Sequence, residues 1–235
     1  MNERLLVLDT ATESMHVGLC DGLREWRREL PGGARASETL LPAIFALLGE
    51  AGLALASLGA IGFGRGPGAF TGVRTACAVT QGLAFGAGLP VLQLDSLMAV
   101  AEDARTAGSK ERLWVAVDAR MGEAYAARYE RVQGQWRVLE APALKSPAAL
   151  ARHIAAAADD DAVAGSSLVA HASDWSEFGG ARWPDSAPRA GALLTLARSA
   201  WARGEALDAA LALPLYVRDK VAQTSAERAA ARVRE

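Results

Sequence analysis

Three places along the chain carry residues whose types and spacing could do chemistry. Asp9-Thr10-Ala11-Thr12-Glu13 closes the short apolar run Leu5-Leu6-Val7-Leu8, so a carboxylate and two hydroxyls sit where a strand ends and a turn begins. That arrangement suits general-base work or a metal-bound phosphate, and it equally suits a well-capped hairpin turn. Asp118 ends a second apolar run, Leu113-Trp114-Val115-Ala116-Val117, and pairs with Asp9 as a candidate; Glu123 just beyond it reads as a solvated strand residue. Between them, Gly64-Arg65-Gly66-Pro67-Gly68-Ala69-Phe70-Thr71-Gly72-Val73-Arg74 follows a strand and opens a helix, where backbone N–H groups and the positive helix end could hold an anion. The segment lacks both the Lys of a P-loop and the GxGxxG spacing, so a turn that merely lets two backbones approach is the competing reading. Asp9, Thr10, Gly66, Pro67, Gly68, Phe70, Thr71, Gly72, Arg74 and Asp118 together make up the candidate nucleotide or loop site.

The histidines exclude one class of chemistry by their spacing. His16, His153 and His171 offer no HxxxH or HExxH helix face that could present two imidazoles to one metal. Each reads as an ordinary strand or helix residue, and no metal site is expected. Cys20 and Cys77, 57 residues apart, suit neither a metal knuckle nor a disulfide framework and read as buried free thiols.

The elements that must position these residues repeat. Residues 5–8, 15–20 and 24–30 read as strands, the last two joined by Asp21-Gly22. A helix follows from Ser37 or Thr39 to Ala51, its apolar positions Leu40, Leu41, Ile44, Leu47 and Leu48 fitting a 3.6-residue period, with Pro42 placed in the first turn. Then come a strand from Ala60 to Gly64, a helix from Thr71 to Ala87, a strand from Val91 to Leu94 and a helix from Ser96 to Arg105. The order starts again at Arg112, with strands at 112–118, 122–130 and 135–140, a helix opened by Ser146-Pro147, a strand at 162–170 and a helix at 191–203; 171–189 reads as irregular. The expectation is a duplicated α/β unit: a first lobe over 1–108, a second over 109–217 and a basic tail over 218–235.

Composition sets the class. Of the 235 residues, 51% are hydrophobic, but 52 are alanine; aromatics are 6% and charged residues 22%. These values argue against an integral membrane protein and against disorder. The excess of 22 Arg over 3 Lys, like the alanine, is explicable by genome composition alone. The net charge of −2 leaves no segment with the basic excess of a stand-alone nucleic-acid binder, so any RNA would be held through a complex. Too little apolar sequence precedes Asp9 for a signal peptide, and a cytoplasmic location is expected. Arg65 and Arg74 are the only charges between Glu50 and Asp95, so the helix from Thr71 has no charged face after Arg74. Such a helix is either buried all round or covered by a partner. Leu40, Leu41, Ile44, Leu48, Val73, Cys77, Ala78, Gln81 and Phe85 are the expected interface residues.

The string from Gly66 to Arg74 resembles the signature of the TsaB (YeaZ) family. Asp9-Thr10-Ala11-Thr12, Ser37-Glu38-Thr39-Leu40-Leu41-Pro42, Asp118-Ala119-Arg120-Met121-Gly122-Glu123 and Pro214-Leu215-Tyr216-Val217-Arg218 follow in the family's order, over essentially the whole chain. Ala36 stands where many members carry a histidine, so no role of that histidine carries over. The resemblance implies an actin-like ATPase fold of the sugar kinase/Hsp70 type, with two duplicated ribonuclease H-like lobes. It also implies a part in making N6-threonylcarbamoyladenosine in tRNAs that read codons beginning with A. In that family the chain would be a non-catalytic partner of a TsaD-like paralogue, acting with a TsaE-like ATPase, forming a homodimer when alone and reaching tRNA only through the complex. No intrinsic cofactor is implied, although ATP or ADP could sit at the complex interface. The leading alternative is a small-molecule kinase or ATPase using Asp9, Asp118 and the Gly-rich loop; a metalloprotease would need the histidine pair that is missing.

Overall fold

Each aspartate-ended apolar run becomes the central strand of a five-stranded sheet in the computed structural model, which describes residues 3–33, 36–157 and 161–218. In the first sheet β1 (Arg4–Asp9) lies between β2 (Ser14–Asp21), antiparallel to it, and β4 (Ala60–Gly64), parallel to it; β3 (Arg24–Pro31) and β5 (Val91–Leu94) are the edges. Burial on both faces explains why β1 reads as continuous apolar sequence with no alternation. Leu6 and Leu8 face one way, toward α1 (Ala36–Ala51) and α2 (Phe70–Ala87), while Leu5 and Val7 face α6 (Ala190–Ala202).

The second sheet has the same order, with β6 (Arg112–Asp118) at its centre, β7 (Ala124–Val132) and β8 (Gln135–Lys145) antiparallel on one side, and β9 (Ala162–Ala164) and β10 (Arg182–Trp183) on the other. Trp114, Ala116 and Ala126 pack under α4 (Pro147–Ala156) with Trp175 and Phe178. The opposite face, with Leu113, Val115 and Tyr129, packs on Leu97, Val100 and Ala104 of α3 (Ser96–Thr106). Two sheets of this order are the duplicated ribonuclease H-like arrangement of the actin-like fold.

Packing does not divide where the sequence suggests, at 108. Helix α3 follows the first sheet in the chain yet packs chiefly on the second, and α6 follows the second yet covers the first, with Leu193, Leu194, Leu196 and Ala197 against Leu5, Val7 and Leu92. The two helices form a middle layer common to both lobes, while the outer face of each sheet keeps a core of its own, Leu6 and Leu8 under α1 and α2 in one and Trp114 and Ala116 under α4 in the other.

Three local expectations need correction. The run 162–170 is a strand only to Ala164, because Gly165 takes a φ of 113° and Ser167–Ala170 form a helical turn, α5. Helix α1 begins at Ala36, so Pro42 falls inside the helix and not in its first turn, where it leaves the Glu38 carbonyl without its usual N–H. The region 171–189 is irregular except for β10. Among the described residues no helix is long and apolar enough to cross a membrane. The basic tail beyond Arg218 lies outside the described residues.

Candidate functional site

The ends of β1 and β6, which sequence pairs through their aspartates, meet different surroundings. Asp9 is fully buried. Its Oδ2 accepts from Ser96 Oγ at 2.6 Å and its Oδ1 from the Ala11 N–H at 2.7 Å, while Ser96 Oγ in turn accepts from the Gly66 N–H at 3.1 Å. Thr10 is buried too, its hydroxyl donating to the Gly72 carbonyl at 2.6 Å. The first aspartate therefore clasps β1, α3 and the Gly-rich loop together, and no ligand reaches it.

Asp118 lines a cleft of about 540 Å³ between the lobes. Its Oδ1 lies 3.0 Å from His171 Nε2 and accepts from the Arg120 N–H at 3.0 Å. Arg120 reaches across the mouth to Glu13, Nη2 to Oε1 2.5 Å, so an exposed ion pair spans the lobes. Arg120 and Met121 both take positive φ values, 62° and 58°. Consecutive non-glycine residues in that region store strain, which marks the 118–123 loop as the specialised edge of the cleft. The wall is mostly apolar, with Phe70, Val117, Val169 and Pro188 among its residues.

The Gly-rich loop follows the close-approach reading. Ala69 N–H donates to Ala11 O, and Arg65 N–H to Leu94 O, so the loop is bonded to the turn after β1 and to the end of β5. Arg74 is also committed: its Nε donates to Tyr216 Oη at 2.7 Å and its guanidinium lies 3.7 Å from the centre of the Phe70 ring. Gly68 and Phe70 line the cleft with Asp118, whereas Asp9, Thr10, Gly66, Pro67, Thr71, Gly72 and Arg74 do not.

The charge-free helix is neither buried all round nor bare. Gln81 Nε2 donates to the carbonyls of Ala209 and Ala212, and Cys77 Sγ lies 3.5 Å from Ala212 O, so the chain's own 209–216 segment covers one flank. Leu40, Ile44, Leu48, Val73 and Cys77 are in the first-lobe core and are corrected from interface to core residues. The 3.6-residue period that flagged them is the signature of the inward face. Ala78, Gly82, Phe85 and Gly86 form an outward stripe of α2, and Leu41 and Phe45 are exposed on α1, which packs against α2; Phe85 is 84% exposed and Phe45 53%.

Comparison with known proteins bears on the whole chain. The family model for TsaD, tRNA N6-adenosine threonylcarbamoyltransferase, matches residues 33–181. The tRNA threonylcarbamoyladenosine biosynthesis protein TsaB of Escherichia coli is 34% identical over 227 residues, covering 93% of this chain and 96% of that protein. The chain belongs to the TsaB (YeaZ) family. TsaB of Haemophilus influenzae is 39% identical over 156 residues, 62% of this chain and 65% of its own length. The structure titled YeaZ from Pseudomonas aeruginosa superposes with a TM-score of 0.81 at 40% identity, covering 90% of this chain and 99% of that one. A second Pseudomonas aeruginosa structure, titled as an uncharacterized protein with similarity to peptidase YEAZ, gives 0.83 at 41%, with 93% and 100% covered.

Against this TsaB-family background, residues beyond the sequence reading complete the site. Ser96 anchors Asp9 and Ser166 Oγ accepts from the Asp118 N–H, yet neither serine stands in a motif that marks it. His171 sits in the segment read as irregular, and only the fold brings it to Asp118. Among the described residues no group of three His, Cys, Asp or Glu side chains gathers as a metal site would require.

The burial of Asp9 has a measurable cost. Desolvation raises its pKa from 3.8 to about 6, against the lowering effect of the Ser96 and Ala11 hydrogen bonds. Because the folded value is the higher, the folded state holds a proton that the unfolded chain releases; this stabilisation is full below 3.8 and lost as pH rises to about 6. Over that interval it amounts to about 3 kcal/mol. Asp9→Asn keeps an acceptor for the Ala11 N–H and removes the titration. Urea denaturation of parent and variant at about pH 4 and about pH 7 should show the variant gaining on the parent by most of that amount at the higher pH.

Proposed function

We propose that this chain is a non-catalytic partner and activator subunit in tRNA threonylcarbamoyladenosine biosynthesis, docking through the outer face of α1 and α2 onto a TsaD-like transferase. The observation that carries the reading is the outward stripe of Ala78, Gly82, Phe85 and Gly86 with Leu41 and Phe45, uncharged and apolar on a surface where a lone protein would place charge. The same face serves a homodimer when the partner is absent. A TsaE-like ATPase completes the assembly, ATP or ADP binds at the complex interface and not as an intrinsic cofactor, and tRNA reading codons that begin with A is held by the complex as a whole. The net charge of −2 accords with that division of labour.

The kinase or ATPase reading rests on a carboxylate from each lobe facing a cleft. Asp118 faces it, but the Asp9 carboxylate is committed to Ser96 and the Ala11 N–H, which leaves the first lobe without its candidate base. ATP turnover by the purified chain, lost on Asp118→Ala, would restore that reading.

Reconstitution tests the proposal. Threonylcarbamoylation of tRNA by a TsaD-like transferase, a TsaE-like ATPase and the enzyme that forms threonylcarbamoyl-adenylate should fall at least ten-fold when this chain is left out. Undiminished modification in its absence overturns the activator role.

A further inference from the structure

A second cavity, sharing no lining residue with the Asp118 cleft, lies where the β7–β8 hairpin crosses β5, α3 and α6. Its volume is about 220 Å³. Leu94, Met98, Trp136 and Leu196 supply apolar wall.

Six charged side chains line it: Arg65, Arg131 and Arg203 against Asp95, Glu102 and Glu205. The carboxylates are already satisfied. Glu102 takes two hydrogen bonds from Arg105 and one from Trp136 Nε1, and Asp95 accepts from Tyr129 Oη and from the N–H groups of Leu97 and Met98. Glu205 is forked by Nε and Nη2 of Arg203 at 2.6 and 2.9 Å.

Arg65 and Arg131 are not satisfied in this way. The Nε of each is buried and has no hydrogen-bond partner among the described residues. Arg65 Nη1 makes a long contact of 3.4 Å to Gln93, and Arg131 comes no closer than 4.0 Å to Glu102 and 3.7 Å to Glu111. Both guanidinium groups line the cavity and neither is held by a carboxylate at hydrogen-bond distance, so their outer N–H groups offer an acceptor two under-used cations. One comes from the Gly-rich loop of the first lobe and the other from β7 of the second.

We propose that this cavity binds a small organic monoanion, a carboxylate on an apolar or aromatic body, held by Arg65 and Arg131. A carboxylate accepts from a guanidinium in a two-pronged geometry, and the apolar walls fit the body that carries it. Glu205 is paired with Arg203, and Glu102 with Arg105 from outside the lining, which leaves Arg65 and Arg131 against Asp95, a surplus of one positive charge that suits a monoanion and not a dianion. Occupancy ties the loop that begins α2 to the β7–β8 hairpin and so braces one lobe against the other.

Calorimetric titration of the full chain with benzoate, benzamide and inorganic phosphate tests this. Benzoate should bind one per chain with a Kd of about 1 mM or below, and benzamide and phosphate at least ten-fold more weakly. Arg65→Gln and Arg131→Gln, each confirmed folded by circular dichroism, should each weaken benzoate ten-fold or more. No saturable binding of benzoate up to about 10 mM, equal affinity for benzamide, or binding untouched by both substitutions overturns the site. Phosphate binding more tightly than benzoate overturns the monoanion assignment.

Discussion

Gly72→Ala is expected to destabilise the fold by more than about 3 kcal/mol, because the new methyl would enter backbone that has nowhere to go. A Cβ built at Gly72 lies 1.9 Å from the Thr10 carbonyl oxygen and 2.9 Å from its carbon. Relief would require the first turn of α2 or the turn after β1 to retreat. Both are pinned, by Thr10 Oγ1 on the Gly72 carbonyl, by the Ala69 N–H on Ala11 O and by the Asp9 carboxylate on the Ala11 N–H. Moving either element breaks buried hydrogen bonds, each of which leaves an unsatisfied group at about 1–3 kcal/mol. Gly82→Ala is the control on the same helix: its Cβ meets nothing within 4 Å, and it should gain about 0.5–1 kcal/mol from helix propensity. Urea denaturation of both variants decides the matter. Near-parental stability of Gly72→Ala would show that close approach is dispensable and return the loop to the anion-cradle reading.

That pair of glycines also shows how much of the protein was legible in its sequence. The repeated strand order could be read because each β1-like run is buried on both faces, and continuous apolar sequence ending at Asp9 and Asp118 reports that directly. The exchange of α3 and α6 could not be read, since an amphipathic helix reveals that it has a buried face and not which sheet it covers. Periodicity marks only the inward side of α1, since Leu40, Ile44 and Leu48 recur because they face the core, whereas Ala78 and Phe85, expected from the missing charge, lie exposed on α2 with Gly82 and Gly86, which carry no hydropathy signal. Asp9 and Asp118 look equivalent as strand-ending aspartates. Their difference arises from Ser96 and His171, 87 and 53 residues away, and only the fold supplies those neighbours.

Ala78→Glu is the second large expected effect, this time on assembly and not on folding. Ala78 is exposed on α2, and glutamate is a good helix former, so the isolated chain should keep its stability within about 0.5 kcal/mol. Buried without a countercharge in a docked face, the same carboxylate should weaken association by at least 100-fold, about 2.7 kcal/mol. Phe85→Ala tests the face by removing area in place of adding charge, and an aromatic at the centre of an interface is worth about 2 kcal/mol or more. Leu48→Glu would be uninformative, because Leu48 is 3% exposed and a charge there breaks the first-lobe core. Sedimentation equilibrium reads self-association, and co-purification with the TsaD-like transferase reads the heteromeric complex. If one face serves both, Ala78→Glu and Phe85→Ala must lose both together and depress tRNA modification in step with the loss of the complex. A folded variant that keeps both assemblies removes α2 from the docking face. One that loses self-association alone separates the two surfaces, because a shared stripe cannot be charged for one partner and neutral for the other.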